Sequence, residues 1–242
     1  AQTVEPDRHA HSLHAYFLRP GDAHMPIVYQ VSRIRDGRGF TTRHVLAIQR
    51  GRPIFDMSCS FHIKESGFDH QDPMPLDVPP PESLKTEKEV LESVSHLIPE
   101  RERYSLTRIR PVESRPVDPM AKVNPEPREP VKYVWFKAAG PMPDDPRLHT
   151  AVLAYASDFD LLGASMLPHG VSFMREDIMA ASLDHALWIH RPFRVDEWLL
   201  YCMDSPSASG ARGFTRGKIY TRDGVLVASV AQEGLVRRIA TQ

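Results

Sequence analysis

Cysteine is scarce, charge is balanced and long apolar runs are absent. With 2 cysteines in 242 residues, a disulfide-built scaffold is excluded. Cys59 and Cys202 sit in strand-like segments, and two buried free thiols are the expectation. A disulfide would require the fold to bring them together. Thirty Lys+Arg against 31 Asp+Glu leave a net charge of -1. There is no global basic field for nucleic acid or an anionic membrane surface. No apolar run approaches the roughly 20 residues that cross a bilayer, and no secretory signal pattern is visible. Gly-Xaa-Ser-Xaa-Gly does not occur, so a serine-hydrolase elbow has no support. His9, His11 and His14, or Asp184, His185 and His190, could suggest a metal. Neither set has ligand spacing on a defined element, and alternation sends His185 and His190 to opposite strand faces. No metal is expected.

What is present is a repetition. Arg38-Gly39-Phe40-Thr41 recurs as Arg212-Gly213-Phe214-Thr215. Upstream, Tyr16-Phe17-Leu18-Arg19-Pro20 answers to Trp188-Ile189-His190-Arg191-Pro192. Downstream, turns at Arg50–Pro53 and Arg222–Gly224 each precede an apolar strand. A diverged internal repeat fixes the organisation before any residue is interpreted. Three segments follow: a first repeat over 1–70, a proline-rich connector with one helix over 71–130, and a second repeat over 131–242.

Each repeat reads as strands rich in β-branched and aromatic residues, the last two forming a hairpin around a glycine turn. In the connector, Glu82–Ile98 reads as a helix with an apolar face of Leu84, Val90, Leu91, Val94 and Leu97. Pro111–Pro130 reads as extended. Asp144-Asp145-Pro146 starts a further helix. This helix runs to Phe159 and is apolar nearly all round, so burial is expected. A buried helix followed by long antiparallel strands predicts a sheet wrapped around a helix. The class is α+β and, with two copies, a double hot-dog of two antiparallel sheets, each wrapped on a central helix.

Each repeat serves as a control for the other. Ser182 aligns with Ala10, and Gln232 with Phe61. The second repeat thus places a hydroxyl and an amide where the first has a methyl and a ring. Asp158 adds a carboxylate near the end of the helix. Taken singly, Asp158 reads as a solvated helix end, Ser182 as a bonded strand residue and Gln232 as a strand cap. Burying an unpartnered carboxylate costs several kcal/mol, so about that much stability would be lost unless Asp158 faces a cleft or finds donors.

The stretches Leu13–Asp22, Tyr155–Asp158, Leu183–Phe193, Asp223–Ser229 and Gln232–Gly234 closely resemble the type II acyl-CoA thioesterases, in order and over essentially the whole chain. The resemblance implies a double hot-dog that hydrolyses medium- to long-chain acyl-CoA to free acid and CoA. It implies catalytic Asp158, Ser182 and Gln232, with Ser182 where the family has Thr or Ser. In that mechanism Asp158 takes the proton of a water while Ser182 and Gln232 direct it. An oxyanion donor is expected near Gly163 or at a helix end. Neither cofactor nor metal is implied. The substrate is acyl-CoA, with no nucleic acid or membrane partner. A homo-oligomer, dimer or tetramer, and a cytoplasmic location are expected. The terminal Ile239-Ala240-Thr241-Gln242 is not the peroxisomal tripeptide that some relatives carry. A non-catalytic acyl-CoA or lipid-binding protein is the alternative, and a hot-dog dehydratase a third reading. The resemblance also implies a helix ahead of Arg19-Pro20, where only Ala1–Ala10 precede the first strand. The first repeat is therefore expected to be N-terminally incomplete and to expose an apolar face.

Overall fold

A computed structural model describes residues 2–98 and 110–239, the Leu97 side chain excepted. Ala1 and the tail residues Ala240, Thr241 and Gln242 lie outside them. The β-branched and aromatic runs form strands because alternate side chains can leave water together. β10 (Arg212–Thr221) alternates exposed and buried residues almost throughout. The first repeat supplies β1 (Arg8–Phe17), β2 (Val28–Asp36), β3 (Phe40–Gln49) and β4 (Arg52–Ile63). The connector holds α1 (Glu87–Ser93) and β5 (Val112–Pro116). The second repeat supplies β6 (Val131–Ala138), α2 (Pro146–Ala156), β7 (Ile178–Ser182), β8 (Asp184–Ile189), β9 (Leu199–Ser209), β10 and β11 (Leu226–Arg238).

All of these strands belong to one continuous sheet rather than two separate ones, because β1 pairs β8, in the order β2-β3-β4-β1-β8-β11-β10-β9-β6-β5, with β7 also on β11. The repeats join where β1 pairs antiparallel with β8, from Ser12↔Trp188 to Tyr16↔Asp184. Both copies carry the same irregularity. The β1–β4 register shifts between Ala10 and Ser12. In the second copy, Gly234 pairs Ser182 but Ala231 pairs Ala186, so one extra residue intervenes. Leu183 and Asp184 fall opposite Glu233 alone, which is a β-bulge.

α2 packs Leu153 and Ala156 against Leu187, Tyr201, Met203 and Val230 of the sheet. Each fully buried aliphatic side chain of this kind contributes about 1.5–3 kcal/mol. Asp145 caps the helix by accepting from the Arg147 N–H, and Pro146 opens it. The arrangement is the double hot-dog, with a correction to the helix. It ends at Ala156, and Leu148 and Tyr155 are 43% and 45% exposed. The sheet covers only one side, so α2 is buried on one face rather than all round. Among the described residues the first repeat has no helix of its own, and β2 is exposed along nearly its whole length.

The connector also differs from expectation. Glu82–Ile98 breaks into a turn of 3-10 helix at Pro81–Ser83, α1, and a second turn at Ser95–Leu97. Thr86 starts α1 by exchanging capping bonds with Glu89, which explains the late start. β5 forms inside the proline-rich stretch because it is an edge strand, where Pro116 need not donate. Met74, Val78 and Leu84 cover Trp135, Leu200 and Tyr220 on the second repeat. Cys59 and Cys202 are both free, on β4 and β9.

Candidate active site

The bulge at Leu183–Asp184 sets the geometry. In a regular strand, residues three apart face opposite sides. The extra residue restores parity, so Ser182 and His185 both reach Gln232 on β11. Asp184 holds the bulge by accepting the Glu233 N–H at 2.7 Å. Gln232, 1% exposed, donates from Nε2 to Ser182 Oγ at 2.6 Å. Ser182 Oγ donates to Asp158 Oδ1 at 3.3 Å. The three residues singled out from the sequence therefore form one connected chain. Asp158 leaves the C-terminal end of α2 with its side chain 37% exposed. Asp158 and Ser182 line a cleft of about 520 Å³, whose apolar wall includes Leu162, Met166, Phe173 and Ile178.

Several members of the site carry no clear mark in the sequence. His185, 4% exposed, places Nδ1 2.8 Å from Gln232 Oε1 and Nε2 2.9 Å from Ser157 Oγ. Its Nδ1 also lies 4.0 Å from Asp158 Oδ1. Tyr201 donates to the Ser157 carbonyl at 2.7 Å, and Thr215 Oγ1 to the Gln232 carbonyl at 3.1 Å. Burial raises the Tyr201 phenol well above its usual range, so it remains a donor. His190 instead meets Ser229 Oγ at 2.8 Å. Among the described residues no group of three or more metal-type side chains converges.

The turn after Asp158 is fixed by charge. Asp160 adopts a left-handed φ of 64°, uncommon outside glycine. Its carboxylate pairs with Lys122 of the connector and lies 3.1 Å from Lys132 of β6. Lys122 also pairs with Glu87 of α1. Burial would raise the Asp160 carboxyl, but the two ammonium groups outweigh it and hold it far below the usual range. Burial lowers Lys132 despite the same partner. The connector is thereby tied to the loop that presents Asp158. The Gly163 N–H bonds to the Asp160 carbonyl at 3.1 Å, so it is not a free oxyanion donor.

A notch in the sheet seats the 3-10 helix Leu162–His169, which forms one wall of the cleft. Gly213 and Gly234 pair across β10 and β11 beneath it. A Cβ on Gly213 would come within 2.5 Å of Ser165 Cβ, and one on Gly234 within 2.5 Å of Leu162. Gly39, the counterpart of Gly213, has nothing nearer than 4.0 Å.

Residues 107–235 match the family described as acyl-CoA thioesterase, and residues 1–62 match the acyl-CoA thioesterase N-terminal domain. Acyl-coenzyme A thioesterase 8 of Homo sapiens is 40% identical, covering 98% of this chain and 76% of that protein. Acyl-CoA thioesterase 2 of Haemophilus influenzae is 38% identical, with 98% and 82% covered. The crystal structure of an acyl-CoA thioesterase II, TesB2, from Mycobacterium marinum superimposes with a TM-score of 0.79 at 44% identity, covering 99% of this chain and 84% of that one. By family match, by identity over nearly its whole length and by fold, this chain belongs to the acyl-CoA thioesterases.

Proposed function

We propose that the chain hydrolyses medium- to long-chain acyl-CoA thioesters through a water activated by Asp158, Ser182 and Gln232. The observation that carries this reading is the connected chain from Gln232 through Ser182 to Asp158, at 2.6 and 3.3 Å, opening onto an apolar-walled cleft. Each member keeps one unused valence for a water. Asp158 has its second carboxylate oxygen, Ser182 a lone pair and Gln232 a second amide hydrogen. A water there donates to Asp158 and Ser182 and accepts from Gln232. Its remaining lone pair is left for the thioester carbonyl carbon.

Attack forms the C–O bond while Asp158 takes the proton. Collapse of the tetrahedral intermediate breaks the C–S bond, and the departing thiolate recovers that proton. The products are a fatty acid and CoA. Orientation of this kind is worth several kcal/mol, roughly the gain from converting an encounter into a positioned attack. Leu162, Met166, Phe173 and Ile178 would line the acyl chain's path.

Thiol release from decanoyl- and palmitoyl-CoA tests the assignment. Asp158→Asn should bind substrate and turn it over at a small fraction of the wild-type kcat. Wild-type turnover by that variant would remove Asp158 from the mechanism. Substrate binding without any thiol release by the intact chain would instead indicate a non-catalytic binder.

The same reading extends to assembly and compartment. Val28, Tyr29 and Ile34 on the exposed edge strand β2 support a homo-oligomer, dimer or tetramer. The free thiols Cys59 and Cys202 support a cytoplasmic location. Sedimentation velocity tests the first; a monomer at micromolar concentration would count against it.

A further inference from the structure

We infer that His185 is a positioning residue: its Nδ1–H fixes the orientation of the Gln232 amide, and through it the direction of every hydrogen bond leading to Asp158. The inference rests on the reading of Asp158, Ser182 and Gln232 as the water-directing set.

The argument is one of hydrogen accounting. An ionised carboxylate only accepts. Ser182, 3.3 Å from Asp158 Oδ1, must therefore spend its single hydroxyl hydrogen there. Its contact with Gln232 at 2.6 Å then requires the amide nitrogen, not the amide oxygen, to face it. The oxygen is left facing His185 Nδ1 at 2.8 Å, so Nδ1 must carry hydrogen. On the far side Nε2 lies 2.9 Å from Ser157 Oγ, which is also 3.0 Å from the Ala154 carbonyl, so the single serine hydrogen serves one of these two partners while the Nδ1 assignment stands on the Gln232 side. Ser157, His185 and Gln232 are 0%, 4% and 1% exposed, which leaves little room for water to substitute for any of them.

Remove the Nδ1 donor and the amide is free to turn over. Its oxygen would then accept the Ser182 hydroxyl, taking that hydrogen from Asp158. Both amide hydrogens would turn away from the water. Turnover would suffer without loss of the substrate cleft, because His185 does not line it.

The first repeat differs at the equivalent place. Thr41 pairs Phe61 as Thr215 pairs Gln232, and Ser12 pairs Ser60 as Ala186 pairs Ala231, so by sheet register the counterpart of His185 is His11. His11 Nε2 meets Ser60 Oγ at 2.8 Å, with Phe61 standing where the second repeat has the Gln232 amide.

The test compares three substitutions with the intact chain. Asn can place its side-chain N–H near the position of Nδ1, whereas Gln places its own near Nε2, and Leu offers neither. His185→Leu and His185→Gln should lose about two orders of magnitude in kcat, the size of one lost oriented donor, with KM unchanged. His185→Asn should recover to within about tenfold of wild type. Wild-type kcat in the Leu or Gln variant overturns the inference, as does a folded Asn variant no better than Leu. Asp158→Asn run alongside separates the two claims, since wild-type turnover there removes the water-directing set itself. A readout that needs no substitution is the imidazole ¹⁵N spectrum of the wild-type protein. Hydrogen on His185 Nδ1 is expected, and a ring protonated on Nε2 alone overturns the assignment.

Discussion

Gln232 donates to Ser182 across 2.6 Å, whereas the matching positions of the first repeat, Phe61 and Ala10, lie directly opposite each other with no polar atom in either side chain. The polar contact reaches across the register, since Ser182 itself pairs Gly234, whereas the apolar residues are direct partners. Ser182→Ala should fold normally and lower kcat by about 10²-fold, the scale of one removed donor. The reciprocal graft, Ala10→Ser with Phe61→Gln in an Asp158→Asn background, should restore nothing. The described part of the first repeat has no helix to supply a carboxylate. Thiol release from palmitoyl-CoA measures both.

The buried charges behind Asp158 predict a specific acid response. Asp160→Asn removes the anion 3.1 Å from Lys132 and leaves that buried ammonium without its ion-pair partner. Breaking a buried pair in this way costs about 3 kcal/mol. The sign with pH follows from the depressed carboxyl of folded Asp160. Its stabilisation is fully present above the unfolded-state value, about 3.9, and is lost as pH falls toward the folded value. The stability gap between wild type and Asp160→Asn should therefore be constant near neutrality and shrink below about pH 4. Urea unfolding at a series of pH values measures it, and a gap that widens on acidification would contradict the assignment.

The paired glycines of the repeated motif should respond unequally. Gly213→Ala forces a methyl to within 2.5 Å of Ser165 Cβ, whereas Gly39→Ala meets nothing closer than 4.0 Å. Overpacking at a tight contact costs about 1–3 kcal/mol. Thermal unfolding should show that loss for Gly213→Ala and little change for Gly39→Ala. Equal effects would mean that the notch under Leu162–His169 is not what the second glycine serves.

Both thiols should be inert in the native protein. Burial pushes Cys59 up to about 11 and Cys202 up to about 12. The thiolate is the nucleophile, so little of it exists near pH 8. Alkylation by iodoacetamide should be slow at both sites until denaturant is added, and then rapid. Fast native labelling at either would show that its strand opens.

The repeat made the two-part sheet legible, because motifs in fixed order forced equivalent strands into equivalent places. It also marked Ser182 and Gln232, since each broke the symmetry of an otherwise apolar pair. His185 escaped for a physical reason. Simple alternation places it on the face opposite Ser182, and only the extra residue at Leu183–Asp184 reverses that. A bulge adds no composition signal of its own. α2 was misread in extent and burial because Leu148 and Tyr155 look like core residues to periodicity, yet the sheet reaches only the other face. The role of Lys122 was equally hidden. It lies far along the chain from Asp160, and no local pattern announces a pairing that only folding creates.

The join between β1 and β8 carries a last consequence. His185 sits opposite Ala15, so the strand that carries it is flanked on one side by the repeat that lacks the polar set. Cutting the chain between the repeats would leave β8 as a bare edge, with the otherwise buried His185 on it. The silent copy has become a splint. The half that carries the candidate site thus leans on a strand of the half that does not.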